Sequence, residues 1–144
     1  MSIVSKTLVI VQLCCIFFLF IQGEILAIGL LLVFQIFGVF LIIWAIWVMK
    51  IGNFNIQPEL KKNAVLVNIG PYKFIRNPMY TGLILFFGAG LASSFQTLNF
   101  LVFLLLVLVL LLKINREEKY LALRFGEDYL AYKNRTYRLV PYLF

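Results

Sequence analysis

In this 144-residue chain the side chains able to do chemistry collect in two polar stretches, residues 50–78 and 113–144. The first runs into Gly70-Pro71-Tyr72-Lys73-Phe74-Ile75-Arg76-Asn77-Pro78-Met79-Tyr80-Thr81-Gly82. Gly70-Pro71 marks a turn, because proline fixes φ at its first corner. Asn77-Pro78 reads as a helix start, asparagine being a favoured N-cap and proline a favoured first helical residue. Flanked by Tyr72 and Tyr80, that start is either a capped helix at a membrane interface or a ligand site. In the second case bare amides would receive an anionic group and aromatic faces a cation. The second stretch opens with Lys113, Arg116, Glu117 and Glu118. Lys113 and Glu117 are four apart and share a helix face. Glu117-Glu118 sets two like charges one turn beyond an apolar run, which an interfacial helix with surface ion pairs does not require.

The elements that must position these residues belong in lipid. The chain is 63% hydrophobic and 13% charged, with a mean hydropathy of +0.99. Soluble domains are about half apolar and a quarter charged, and a chain this short cannot wrap so much apolar surface in a water-soluble core. Histidine is absent, which removes Ser-His and Cys-His nucleophile pairs, imidazole bases and His-type zinc sites. Cys14 and Cys15 are neighbours in an apolar run and cannot close a structural metal site, so no metal is expected.

A span needs about 20 apolar residues. Thr7 to Ile21 is an apolar block a little short of that length, Ile25 to Met49 is a second block, and Met79 to Leu112 a third that is uncharged throughout. The third would make a single helix about 51 Å long, too long for one crossing. Ser93-Ser94-Phe95-Gln96-Thr97, with Asn99, therefore reads as a turn. The expectation is an all-α integral membrane protein with about four transmembrane helices, the last two short enough to form a re-entrant hairpin. A C-terminal amphipathic cytoplasmic helix would follow, broken at Gly126 and restarting at Glu127 or Asp128. The first block lacks a small-residue cleavage site at Gln22-Gly23-Glu24 and is followed at once by the second, which favours a helical hairpin over a cleaved leader. The chain thus reads as one membrane domain, 1–144, made of a hairpin at 1–49 and a core at 50–144.

Lys6 precedes the first span, Lys50, Lys61, Lys62, Lys73 and Arg76 lie between the second and third, and the remaining seven cations follow Leu112, which accounts for all 13. By the positive-inside rule both termini are expected in the cytoplasm. Cations dispersed beside spans favour membrane lipids as partners over nucleic acid. Phe34, Phe37, Phe40, Trp44 and Trp47 read as packing and interfacial anchors. Gly88 and Ala92 are small enough to bring helices close, within a chain or between chains, and the oligomeric state stays open.

The Gly70 to Gly82 block, followed by Glu117-Glu118 and then by Phe125-Gly126 with Tyr129 and Tyr132, resembles the isoprenylcysteine carboxyl methyltransferase family and its relatives among membrane phospholipid methyltransferases. The likeness covers roughly residues 52–141. It implies a membrane methyltransferase that uses S-adenosylmethionine. By motif, Gln57, Ala64, Val65, Leu66, Val67, Tyr72, Asn77, Pro78, Met79, Tyr80 and Glu117 would line the cofactor, Lys113 would face the substrate, and Glu117 and Arg76 are candidates for positioning. Two positions depart from the family pattern. Asn77 stands where the family has His and carries no titratable ring, and Lys113 replaces Arg and lacks its bidentate fork.

The implied reaction is methylation of a lipophilic or prenylated acceptor, small molecule or protein, at the cytoplasmic face. In-line displacement at a sulfonium is accelerated chiefly by positioning. A carboxylate or thiol acceptor is favoured because it needs no base, whereas an amine must first lose a proton. The alternatives are a phospholipid N-methyltransferase and a non-catalytic membrane adaptor that keeps the fold.

Overall fold

The computed structural model describes residues 3–22, 26–53 and 65–143. Among the described residues there are five α-helices, α1 (Ile3–Gln22), α2 (Leu30–Asn53), α3 (Pro78–Ser93), α4 (Thr97–Phe125) and α5 (Glu127–Asn134), with a 3-10 turn at Gly70–Lys73. Helices are the economical solution for apolar segments in lipid, where each backbone N–H and C=O must be satisfied within its own segment. The all-α membrane architecture expected from the sequence is the one observed.

Among the described residues three helices, α1, α2 and α4, are long and apolar enough to cross a membrane. The long third block does break where Ser93 to Thr97 predicts, since α3 ends at Ser93 and α4 begins at Thr97. The two halves are unequal rather than two matching short arms. At 16 residues α3 rises about 24 Å, less than the hydrocarbon layer. In contrast α4 runs unbroken for 29 residues, so its polar second half is a rigid extension of an apolar first half. It stops at Gly126, whose φ of +51° suits glycine, and α5 restarts at Glu127 as expected.

α2 packs along α3, and α1 packs along α4. The contact between α2 and α3 is close because two glycines face each other. A Cβ on Gly82 would stand 2.6 Å from the carbonyl oxygen of Gly38, and one on Gly38 would stand 2.8 Å from that of Gly82. Small residues let backbones approach where dispersion, not the hydrophobic effect, drives association. Gly88 meets Phe103 at an ordinary distance and Ala92 is exposed, so the tight crossing lies at a different pair from the one the sequence suggests. Between the helix pairs, Cys15 and Leu19 of α1, Phe87 of α3, and Leu106 and Leu110 of α4 form the buried core. Outward-facing Ile10, Phe17, Ile36, Phe40 and Leu108 are exposed, an apolar surface that lipid solvates and water would not.

Polar side chains within the spans join elements to one another. Gln35 of α2 accepts from the amide of Ala27 at 2.9 Å and donates to the carbonyl of Phe86 in α3 at 3.2 Å. Asn99 of α4 donates to the carbonyl of Gln22 at the end of α1, and Ser93 accepts from the amide of Ile28. These ties gather the connections at one end of the bundle. At the other end the close of α2 meets the 3-10 turn and the start of α3 meets the second half of α4; the described cations fall in these segments, in α5 and its tail and on the first turn of α1.

The glycine crossing yields a direct test. Gly82→Ala presses a methyl into the Gly38 carbonyl and Ile42, and should cost about 1–3 kcal/mol. Gly88→Ala should stay within about 0.5 kcal/mol. Thermal melting in detergent, followed by tryptophan fluorescence, checks both.

Candidate functional site

Neighbouring positions on a helix point about 100° apart, and this separates Glu117 from Glu118. Glu118 turns toward the C-terminal segment and the approach to α3. Its Oε1 accepts from Arg76 Nε at 3.1 Å and Arg138 Nε at 3.2 Å, and its Oε2 from Arg138 Nη2 at 2.7 Å. Lys133 Nζ lies 3.6 Å from the same Oε2. Arg76 also donates through Nη1 to the carbonyls of Lys133 and Thr136. One buried carboxylate therefore joins the approach to α3, the second half of α4, α5 and the C-terminal segment.

That segment is laid onto the start of α3. Arg76 N donates to Tyr137 O at 2.8 Å and Tyr137 N to Phe74 O at 2.9 Å, closing a short parallel bridge between Ile75 and Tyr137. Asn77 occupies the N-cap position and Pro78 the first helical position, as the sequence predicts. The capping chemistry differs, however. Asn77 donates through Nδ2 to the carbonyl of Arg138 at 3.0 Å, and its side-chain oxygen accepts no capping bond from the helix. Its carbonyl takes the amides of Tyr80 and Thr81, and Pro78 has no N–H. The bare amides expected at this helix start are thus largely spent. Thr81 extends the clamp by donating to Leu139 O at 2.8 Å.

Glu117 turns the other way, toward α3. Tyr80 donates its hydroxyl to Glu117 Oε1 at 2.7 Å, and the ammonium of Lys113 stands 5.3 Å from the centre of the Tyr80 ring. Lys113 Nζ donates to Gln12 Oε1 of α1 at 2.7 Å. The structure therefore brings together Tyr80, Lys113 and Glu117, three residues singled out from the sequence. Beside them Pro78 is buried and Met79 half-buried. Tyr72, within the 3-10 turn, is buried, with its hydroxyl 3.9 Å from Met49 Sδ and its carbonyl accepting from Tyr132. Leu66 and Val67 are half-buried and Val65 exposed in the extended approach to that turn. Gln57 and Ala64 lie outside the described residues, as does Glu24. Arg76 sits on Glu118 and the C-terminal carbonyls, one helix face away from Glu117.

Burial raises Tyr72, Tyr129 and Tyr132 above the ordinary tyrosine range, Tyr132 to about 12. These hydroxyls keep their protons near neutral pH, and Tyr132 uses its own to hold the Tyr72 carbonyl at 2.7 Å.

Sequence reasoning passes over Gln12, Thr81, Thr136 and Arg138. A lone glutamine in an apolar helix is a usable signal for the first. Thr136 and Arg138 lie in a short irregular tail whose partners are not local, and no periodicity marks them.

An acidic oxygen, a phenol and an ammonium thus meet where α3 begins and α4 emerges from its apolar half. The profile of the phospholipid methyltransferase family matches residues 25–128, well over half of the chain. The chain belongs to that family, one of membrane methyltransferases. No curated protein matches the chain closely enough to report. The matched segment holds α2, α3, α4 and the site, and begins after α1.

The two glutamates should separate in stability measurements. Glu118→Gln leaves Arg76, Arg138 and Lys133 facing one another, and is expected to cost about 3 kcal/mol. Glu117→Gln keeps an acceptor for Tyr80 and should cost about 1 kcal/mol or less. Thermal melting in detergent distinguishes them. A second expectation concerns alkali. Tyr132 is an acid whose folded value is raised, so its contribution is complete below pH 10.0 and is lost as pH climbs through about 12. Tyr132→Phe should melt lower at neutral pH, by about 1 kcal/mol, and show a shallower decline in this alkaline range.

Proposed function

We propose that this member of the phospholipid methyltransferase family transfers a methyl group from S-adenosylmethionine to a lipophilic acceptor at the cytoplasmic face of a membrane. The observation that carries the reading is the Tyr80–Glu117 hydrogen bond beside the Lys113 ammonium, held between the start of α3 and the end of α4's apolar half. Residue chemistry fits the cofactor. Glu117 offers a carboxylate, an acceptor suited to hydroxyl groups or a cationic centre. Tyr80 and Tyr72 add aromatic faces suited to a cation or a flat base. When bound, the cofactor supplies a methyl group activated by its sulfonium charge.

The chain's own contribution is to bind, orient and exclude water. Tyr80 restrains the Glu117 carboxylate, and α4, rigid from bilayer to polar end, fixes the distance from that carboxylate to the lipid-facing surface. On this reading Lys113, one helical turn before Glu117, would meet an anionic group on the acceptor. Glu118 holds these parts in register without joining them. An acceptor already ionised, a carboxylate or a thiolate, needs no proton removed, which suits a chain without histidine. Its apolar portion would arrive sideways from the bilayer and the cofactor from the aqueous side. The placement of the described cations at one end supports a cytoplasmic site with both termini on that side.

The family match favours a second reading, methylation of a phospholipid amine. Both readings are tested by incubating the purified protein with methyl-labelled S-adenosylmethionine and a total lipid extract, then separating the labelled products. Base-labile methyl ester or methyl thioether is expected on the first reading, and label retained on an ethanolamine headgroup selects the second. Glu117→Ala should lower labelling about 100-fold, the scale of losing one positioned electrostatic group. Unchanged labelling in Glu117→Ala would overturn the role given to this site. No labelled product with the wild-type protein would overturn the activity.

A further inference from the structure

Charge falls away along the C-terminal segment as sharply as it does at the start of α3. Lys133, Arg135 and Arg138 are followed by the uncharged run Leu139-Val140-Pro141-Tyr142-Leu143-Phe144, just as Arg76 is followed by the uncharged block from Met79. The two segments also run the same way. Ile75 pairs in parallel with Tyr137, Asn77 donates to the carbonyl of Arg138, and Thr81 donates to that of Leu139. The tail therefore advances along α3 in the direction that takes α3 into the bilayer, and Leu139 is already tied to a residue of the apolar block.

Beyond Leu139 the chain makes an ordered turn with its apolar side chains outward. Leu143 N donates to Val140 O at 3.2 Å, and Tyr142 takes a φ of +66°, which residues other than glycine seldom adopt. The Tyr142 ring lies against that of Tyr137, with centroids 5.2 Å apart. Yet Tyr142 is 88% exposed, Leu143 84% and Val140 44%. A lone exposed leucine is ordinary, whereas neighbouring apolar side chains left outward mark a contact surface. The exposed cations Lys133 and Arg135 lie just before them. Tyrosine, leucine and valine beside Lys and Arg suit the boundary between headgroups and acyl chains, where rings sit at the polar edge and cations meet anionic lipid. The tie from Thr81 to Leu139 makes this surface continuous with the lipid-facing side of the bundle.

We propose that Val140, Tyr142 and Leu143 form an interfacial foot that dips into the bilayer on the side where α3 begins. Its partner is the acyl–headgroup boundary of the membrane that the helices span. Because the same tail holds Asn77 and Thr81, the foot ties the first turn of α3 to the membrane surface. The proposal rests on the chain's residence in a membrane and not on methyl transfer.

Photocross-linking of the full chain in vesicles tests it. p-Benzoylphenylalanine replaces Tyr142 in one variant and Leu123 in another, and each is reconstituted into phosphatidylcholine and phosphatidylglycerol, both tritiated. Leu123 serves for comparison because it is 85% exposed yet lies about 15 Å beyond Lys113 along α4, away from the apolar half. Both replaced side chains are outward, so both variants should melt close to wild type. After irradiation position 142 is expected to carry about tenfold more labelled lipid than position 123. Equal labelling at the two positions, whether high or low, would overturn the proposal. A cross-link from position 142 to a second copy of the chain, in place of lipid, would make the patch a protein interface and overturn it as well.

Discussion

The polar end of this bundle depends on one carboxylate meeting three cations. Arg76 precedes α3, Lys133 ends α5 and Arg138 lies in the C-terminal segment, yet all three reach Glu118 on α4. Without that anion they would repel one another in a partly dry place. With it, the guanidinium of Arg76 is fixed well enough to satisfy backbone carbonyls of the tail, and the tail in turn satisfies Asn77 and Thr81. The start of α3 is thereby pinned against the emergent half of α4. The distance from Tyr80 to Glu117 is a consequence of that pinning, so the site's geometry is inherited from the residue beside it in sequence. A buried ion pair alone adds little net stability, because desolvation offsets attraction. Its value here lies in specifying how four segments of chain meet.

The bilayer imposes the complementary constraint. Where the helices face lipid they carry Ile, Leu and Phe, and little there distinguishes one rotation of a helix from another. Gly38 against Gly82 fixes the α2–α3 crossing by permitting what no larger residue permits. Gln35 and Asn99 fix rotation and height by hydrogen bonds that would be costly to leave unmade in hydrocarbon. Gln12 does the same for α1 and, through Lys113, connects this fixing to the candidate site. Packing in the apolar half and chemistry in the polar half are therefore coupled through α4, which is rigid across both.

Much of this was legible in the residues. The length of the third apolar block, against a fixed bilayer thickness, required a break, and Ser93 to Thr97 was the only polar run able to supply it. Gly126 carried the end of α4 through its freedom at positive φ. Lys113 and Glu117 at four-residue spacing placed both on one face, where Tyr80 now meets them. What the sequence did not disclose was which partner each polar group chooses. Asn77 has the type and position of an N-cap, but its side chain donates through Nδ2 to a carbonyl of residue 138 and its oxygen makes no capping bond. Glu117 and Glu118 look alike in the sequence; only the packing of α4 decides that one faces a cluster of cations and the other a phenol. Such choices depend on contacts 20 to 100 residues apart, which local pattern does not encode.

The central claim is that two adjacent glutamates divide the work, Glu118 organising the fold and Glu117 receiving the cofactor. Calorimetric titration of S-adenosylmethionine into folded Glu117→Gln, compared with wild type in the same detergent, tests it most directly. The account predicts clear binding to wild type and at least tenfold weaker binding to a Glu117→Gln protein that melts close to wild type. Equal affinity in the two proteins would contradict it.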